Sequence, residues 1–201
     1  DAGTYLGKWF DPKFRADPED AERKADRLWD EAQARAIADA VRGKRATVPE
    51  EAKPSTQSSP GLFDLPTLQR EANGRFGFSA KNTLGIAQAL YEKHKVLTYP
   101  RTDSRALPED YLPTVRKTVG MLADADLPGP LRELSMHARK ALNDGYVKAS
   151  KRVFDNAKVS DHFAIIPTLE TPKSLTDIEA KLYDLVVKRF LAVFYPSAEY
   201  L

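Results

Sequence analysis

DLPTLQREANGRFGFSAKNTLGIAQALYEKH, residues 64–94, reads as two short helices with a tight turn between them. Asp64-Leu65-Pro66 opens the first, because aspartate caps a helix and proline suits its first turn. Asn73-Gly74 is expected to close it. Ser79 caps the second, which runs to about His94 with Leu84, Ala87, Leu90 and Tyr91 facing inward. The pair has the form of a helix-turn-helix.

Downstream, VLTYPRTDS (96–104) follows at once, and Pro100 biases Tyr99 toward an extended backbone. Helices are expected at about 109–122 and 130–142, the second ended by Asn143-Asp144-Gly145. VSDHFAIIPT (159–168) reads as extended chain. Thr176-Asp177-Ile178-Glu179 is a capping box. It opens a long helix with Ile178, Leu182, Leu185, Val186 and Val193 on its buried side, ended before Pro196. Upstream, KRATVPEEAKPSTQSSPG (44–61) is rich in Pro and Ser and reads as a loop or linker, with a domain boundary near Ser59-Pro60. Asp17-Pro18-Glu19-Asp20 signals a helix start, and Gly43 a stop at about residue 42. Ala21, Ala25, Leu28, Ala32 and Ala36 would form its packing face. Tyr5, Leu6, Trp9 and Phe10 suggest a strand before Asp11-Pro12. The chain opens without Met, as an excised piece of a longer protein would.

The composition is that of a soluble protein: 42% hydrophobic and 30% charged over 201 residues, with no membrane-length apolar run and no secretory signal. Cysteine is absent, which excludes disulfides and thiolate–zinc sites and fits a cytoplasmic protein. The net charge of +2 does not announce a polyanion partner. Residues 67–105 nonetheless hold seven Lys/Arg against Glu71, Glu92 and Asp103. A solvated surface would produce such a bias as readily as a binding face.

YPRTDS (99–104) is the candidate segment for chemistry. A phenol with a pKa near 10 is a weak nucleophile at neutral pH and needs a nearby cation and a fixed position. Arg101 offers a planar, permanently charged fork for two phosphate oxygens. Alternation in extended chain would point Tyr99 and Arg101 to the same face. Thr102 and Ser104 add hydroxyl donors, and Asp103 would orient Arg101 or bond to backbone. Read from residue types and spacing alone, a surface turn with Pro100 and a salt bridge fits these six residues better than a reactive site does. His162 could stabilise a phosphate or assist a leaving oxygen, or serve structure only. His94, at a helix end, would favour the dipole, and His137 has no evident role. No His/Asp/Glu group has clear metal spacing; Asp124 and Asp126 are an isolated pair.

TLQREA (67–72), FSAKNTLGIAQALYE (78–92), LTYPRTDSRAL (97–107) and SDHFAIIPT (160–168), in that order, resemble the type IA DNA topoisomerases, in particular the bacterial topoisomerase III branch. LYDLVVKRFLAVFYPSA (182–198) is similar to the helix that follows the histidine motif in that family. The resemblance covers most of residues 62–201 and is looser over the first 60. It implies an α+β fold, mainly helical: a winged-helix (CAP-like) domain over residues 61–201 bearing the active-site tyrosine, and part of a strand-rich arch over residues 1–60. The last residues, Glu199 to Leu201, would return to the arch.

The resemblance places the family's nucleophile on Tyr99, its phosphate-contacting arginine on Arg101 and its histidine near the scissile phosphate on His162. Thr102 and Ser104 would support DNA contacts. Lys81 is a further DNA-binding candidate, and Arg75, Lys151 and Arg152 are weaker ones. The implied activity is cutting and rejoining single-stranded DNA through a 5′-phosphotyrosine, without ATP. The expected partners are single-stranded DNA and the Toprim and arch parts of the same polypeptide, with no membrane. The implied location is the bacterial cytoplasm, at the nucleoid. The family's Mg²⁺ is held by a Toprim domain outside this chain, so no metal ligands are expected here, and the piece alone should not cleave DNA. The alternative is a winged-helix-like single-stranded DNA-binding module whose Tyr99 only stacks. A tyrosine recombinase fits poorly, because His137-Ala138-Arg139 lacks the required His-x-x-Arg spacing.

Overall fold

Side-chain caps mark the starts of four of the six helices among the described residues. The computed structural model describes residues 3–4, 6–47, 51–124, 127 and 131–201, and among these it is mainly helical with one pair of short strands. The chain divides into two compact units, residues 1–51 and 52–201.

Among its described residues the first unit holds one helix, α1 (Glu31–Val41). The helix expected from residue 18 does not form there. Instead the Asp17 and Asp20 carboxylates accept the N–H groups of Glu19 (3.0 Å) and Glu22 (3.1 Å), closing separate turns. Only Asp30, which accepts from Ala32 N, leads into a helix. None of Ala21, Ala25, Leu28, Ala32 and Ala36 is buried, because a unit with one helix offers no second layer for that face. The strand expected at 5–10 is also absent from residues 6–10; Tyr5 lies outside the described residues. Leu6, Phe10 and Trp29 are exposed.

The second unit is built on α2 (Leu65–Phe76), α3 (Ala80–Glu92), α4 (Leu112–Asp124), α5 (Arg132–Asn143) and α6 (Asp177–Ala192). Asp64 and Thr67 cap α2 reciprocally, each taking the other's backbone N–H. The helix runs one turn past Asn73-Gly74 and stops at Gly77, whose φ of +70° suits a residue without a Cβ. Asn73 serves that end from inside the helix: its carbonyl accepts from Gly77 N and its amide donates to Phe78 O. Ser79 caps α3 through Asn82 N, and α3 buries Thr83, Ile86, Ala87 and Leu90.

A short 3-10 turn at Glu109–Tyr111 leads into α4, which packs on α5. Helix α6 begins at the expected capping box and buries Leu182, Tyr183, Val186, Val187, Phe190 and Leu191 against α2, α3 and α5. Ile178, expected inside, is 47% exposed; in this first turn the Glu179 side of the helix meets the interior instead. Two antiparallel strands, β1 (Ser55–Gln57) and β2 (Ala198–Tyr200), pair Thr56 with Glu199 and bring the ends of this unit together.

Candidate active site

The segment carrying Tyr99 is fixed before it reaches the tyrosine. After α3 the chain turns at Lys95, the only non-glycine residue with positive φ (60°) among the described residues. Val96 N donates to Leu90 O, and Val96 and Leu97 enter the core. Residues 97–107 then run beside 160–168, but the two share one isolated bridge, Leu97 with Pro167, and a few backbone bonds, not a regular ladder.

Side-chain hydroxyls supply the missing ladder bonds. Thr98 Oγ1 donates to Ala164 O (3.0 Å) and accepts from Ile166 N (2.9 Å), while Thr98 N donates to Ile166 O. Thr102 Oγ1 donates to His162 O (3.2 Å) and accepts from Ser104 N. Ser104 Oγ donates to Lys158 O (2.7 Å) and accepts from Ala106 N. Thr102 O receives Leu65 N, so the start of α2 also rests on this segment. Thr102 and Ser104 are buried. The hydroxyls expected to face DNA therefore point inward and lock the tyrosine segment to the histidine segment.

Between these anchors Tyr99 is half-buried. Its ring lies against His162 (centroids 4.2 Å apart, planes at 41°) and packs edge-to-face with Tyr91 (5.5 Å, 80°). His162 is exposed beyond it. Arg101 is exposed, and its guanidinium has no hydrogen-bond or ion-pair partner among the described residues. Asp103 does not pair with Arg101; its carboxylate accepts from Ser160 Oγ (3.4 Å). Tyr99 and His162 are thus brought together, and Arg101 stands two residues away with its fork open to solvent. Lys81, exposed near the start of α3, has no contact that joins it to this cluster among the described residues.

The other basic candidates are already engaged. Arg75 pairs with Glu71, Lys151 with Glu109 (2.6 Å), and Arg152 donates to Ser59 O and Oγ. His94 does more than end a helix. Its Nε2 lies 3.1 Å from Glu179 Oε1, both side chains being nearly buried. Burial alone would raise the Glu179 pKa, but the Thr176 N–H and hydroxyl and the His94 ring outweigh it and hold the carboxyl below its ordinary value. Sequence reading missed this pair, which spans 85 positions, and missed Tyr91 as a wall of the tyrosine site. The only sequence signal for Tyr91 was its inward helical spacing.

Among the described residues no group of three or more His, Asp or Glu side chains is placed to hold a metal ion, and Asp126 lies outside them. The described residues therefore do not fit the Mg²⁺ that the resemblance implies. No described helix is long and apolar enough to cross a membrane.

A half-buried phenol thus packs on an imidazole, two residues from a guanidinium that has no partner among the described residues. The chain belongs to the DNA topoisomerase family, whose profile matches residues 8–201. It is 48% identical over 168 residues to the DNA topoisomerase 3 of Bacillus licheniformis, covering 82% of this chain and 22% of that protein. It is 52% identical over 161 residues to that of Bacillus cereus, covering 77% and 21%. Full-length topoisomerase I from Thermotoga maritima shares its fold at a TM-score of 0.52 and 26% identity, over 90% of this chain and 27% of that one. The chain therefore spans about a fifth of the length of the curated relatives it matches.

Proposed function

We propose that this chain is the tyrosine-bearing part of a type IA DNA topoisomerase that cuts and rejoins single-stranded DNA. The carrying observation is the Tyr99 ring in contact with both His162 and Tyr91, two residues from the open Arg101 fork. In this reading the Tyr99 oxygen attacks a backbone phosphorus and the bond from phosphorus to the 3′ oxygen breaks. The phenolic proton is given up, a proton is delivered to the departing 3′ oxygen, and a 5′-phosphotyrosine and a free 3′ hydroxyl remain. The reverse transfer reseals the strand. One phosphate ester is exchanged for another, so no ATP is needed. Arg101 holds two non-bridging oxygens and offsets the charge that develops on phosphorus. His162, stacked on the nucleophile, donates a hydrogen bond to the same phosphate. Thr98, Thr102 and Ser104 position these groups through backbone. Lys81, exposed and unpaired, is a more distant backbone contact.

We read α2 and α3 as the helix pair of a winged-helix (CAP-like) domain over residues 61–201, and residues 1–60 as part of an arch. Their short Gly77-Phe78 connection supports the first assignment. The Mg²⁺ and its Toprim carboxylates are assigned to the remainder of the polypeptide, so the 201-residue piece alone is expected not to cleave DNA at a useful rate. Efficient Mg²⁺-dependent cleavage by the piece alone would overturn that. The polarity is tested with end-labelled single strands in the complete enzyme. Label at the 3′ end should stay with denatured protein, and label at the 5′ end should leave as a fragment with a 3′ hydroxyl. The reverse distribution overturns the 5′-phosphotyrosine.

A further inference from the structure

Lys95 stands where its backbone conformation disfavours any side chain. A φ of 60° costs a residue with a Cβ free energy that glycine would not lose, and such strain persists only where neighbours enforce it. Here they do: Thr168 Oγ1 donates to Lys95 O (2.6 Å), and Val96 N and His94 N return to Leu90 O and Ala89 O. The turn aims the lysine back along α3, where its Nζ lies 5.7 Å from the centroid of the Tyr91 ring. Tyr91 in turn meets Tyr99 edge-on.

Lys140, Lys151, Lys158 and Lys188 each find a carboxylate at 2.5–2.8 Å. The exposed Lys95 ammonium has none among the described residues. An unpaired cation is thus held by a strained turn and an aromatic ring next to the phenol.

We propose that Lys95 is a second phosphate contact for the strand attacked by Tyr99, taking a phosphodiester that neighbours the scissile one, with Tyr91 as the positioning residue that sets both Lys95 and Tyr99. This rests on the reading of Tyr99 as the nucleophile. Lys95 is a point charge, so it recognises backbone and is indifferent to base.

The test uses the complete enzyme with Tyr99→Phe, which binds without reacting, and a fluorescein-labelled thymidine oligonucleotide titrated at several salt concentrations. Lys95→Gly and Lys95→Asn both suit a positive φ. Each should weaken binding roughly three- to tenfold and flatten the log affinity against log salt slope by about 0.7. Lys95→Arg should restore both. In the 201-residue chain, Lys95→Gly should melt at the same or a higher temperature, since it relieves the turn. Fold and affinity would then move in opposite directions, which no purely structural lysine produces. Unchanged affinity and salt slope in the Gly and Asn variants overturn the proposal, as does a lower melting temperature with affinity intact. If the Tyr99→Phe parent itself fails to bind, the strand-cutting reading falls first and this contact with it.

Discussion

Replacing Thr98 with valine keeps the side-chain volume and removes one oxygen. That oxygen donates to Ala164 O and accepts from Ile166 N, and both of those residues are at most 1% exposed. Valine would strand an N–H and a carbonyl away from water, each at about 1–3 kcal/mol. Ile166 O keeps its bond from Thr98 N, so the loss is confined to two groups. The expected destabilisation is about 2–6 kcal/mol, with no cavity contribution. With a urea dependence of about 2 kcal/mol/M, the unfolding midpoint of the 201-residue chain should fall by about 1–3 M. Thr98→Ser keeps the oxygen and should remain within about 1 kcal/mol of the parent. In the complete enzyme the valine variant should also form less covalent adduct, because the Tyr99 segment loses its tie to the segment carrying His162. A valine midpoint within about 0.2 M of the parent, or equal losses for serine and valine, would refute the view that hydroxyls replace ladder bonds here.

Tyr183 is fully buried and its hydroxyl has no hydrogen-bond partner among the described residues; burial pushes its pKa up. Tyr183→Phe should therefore be neutral or stabilising by up to about 1–2 kcal/mol, seen as a melting temperature raised by roughly 2–6 °C; a clear fall would reveal a partner for the hydroxyl. The Glu179 carboxyl titrates lower folded than unfolded, so its contribution is complete above the unfolded value of about 4.3 and is lost as pH falls through the folded one. Melting curves from pH 6 to pH 3 should drop more steeply for the parent than for Glu179→Gln, and parallel curves would contradict the assignment.

Local signals in the sequence located most of the second unit. Ser79, Asp64 and the Thr176–Glu179 box each act within three residues, so their chemistry is visible in a short window. The same kind of signal misled in the first unit, where Asp17, Asp20 and Asp30 are all chemically fit to cap and only the last precedes a helix. Asn73-Gly74 misled in another way, since the asparagine caps from within while Gly77 takes the left-handed turn.

At the site, the family resemblance proposed Tyr99 and Arg101 for the chemistry, but nothing in the YPRTDS string gave the direction of the Thr102 and Ser104 hydroxyls. Those point toward carbonyls 60 and 54 positions away, a relation no local pattern contains. The contacts of Tyr99 with Tyr91 and of His94 with Glu179 depend likewise on how α3 and α6 are packed.

The claim that Tyr99 is the nucleophile is tested most directly by mass mapping of the protein–DNA adduct trapped from the complete enzyme with Mg²⁺ and a single-stranded oligonucleotide. The nucleotide should sit on the peptide containing Tyr99, and Tyr99→Phe should yield no adduct while binding single strands almost as well as the parent. An adduct on another residue, or a Tyr99→Phe protein that still forms one, would contradict the account.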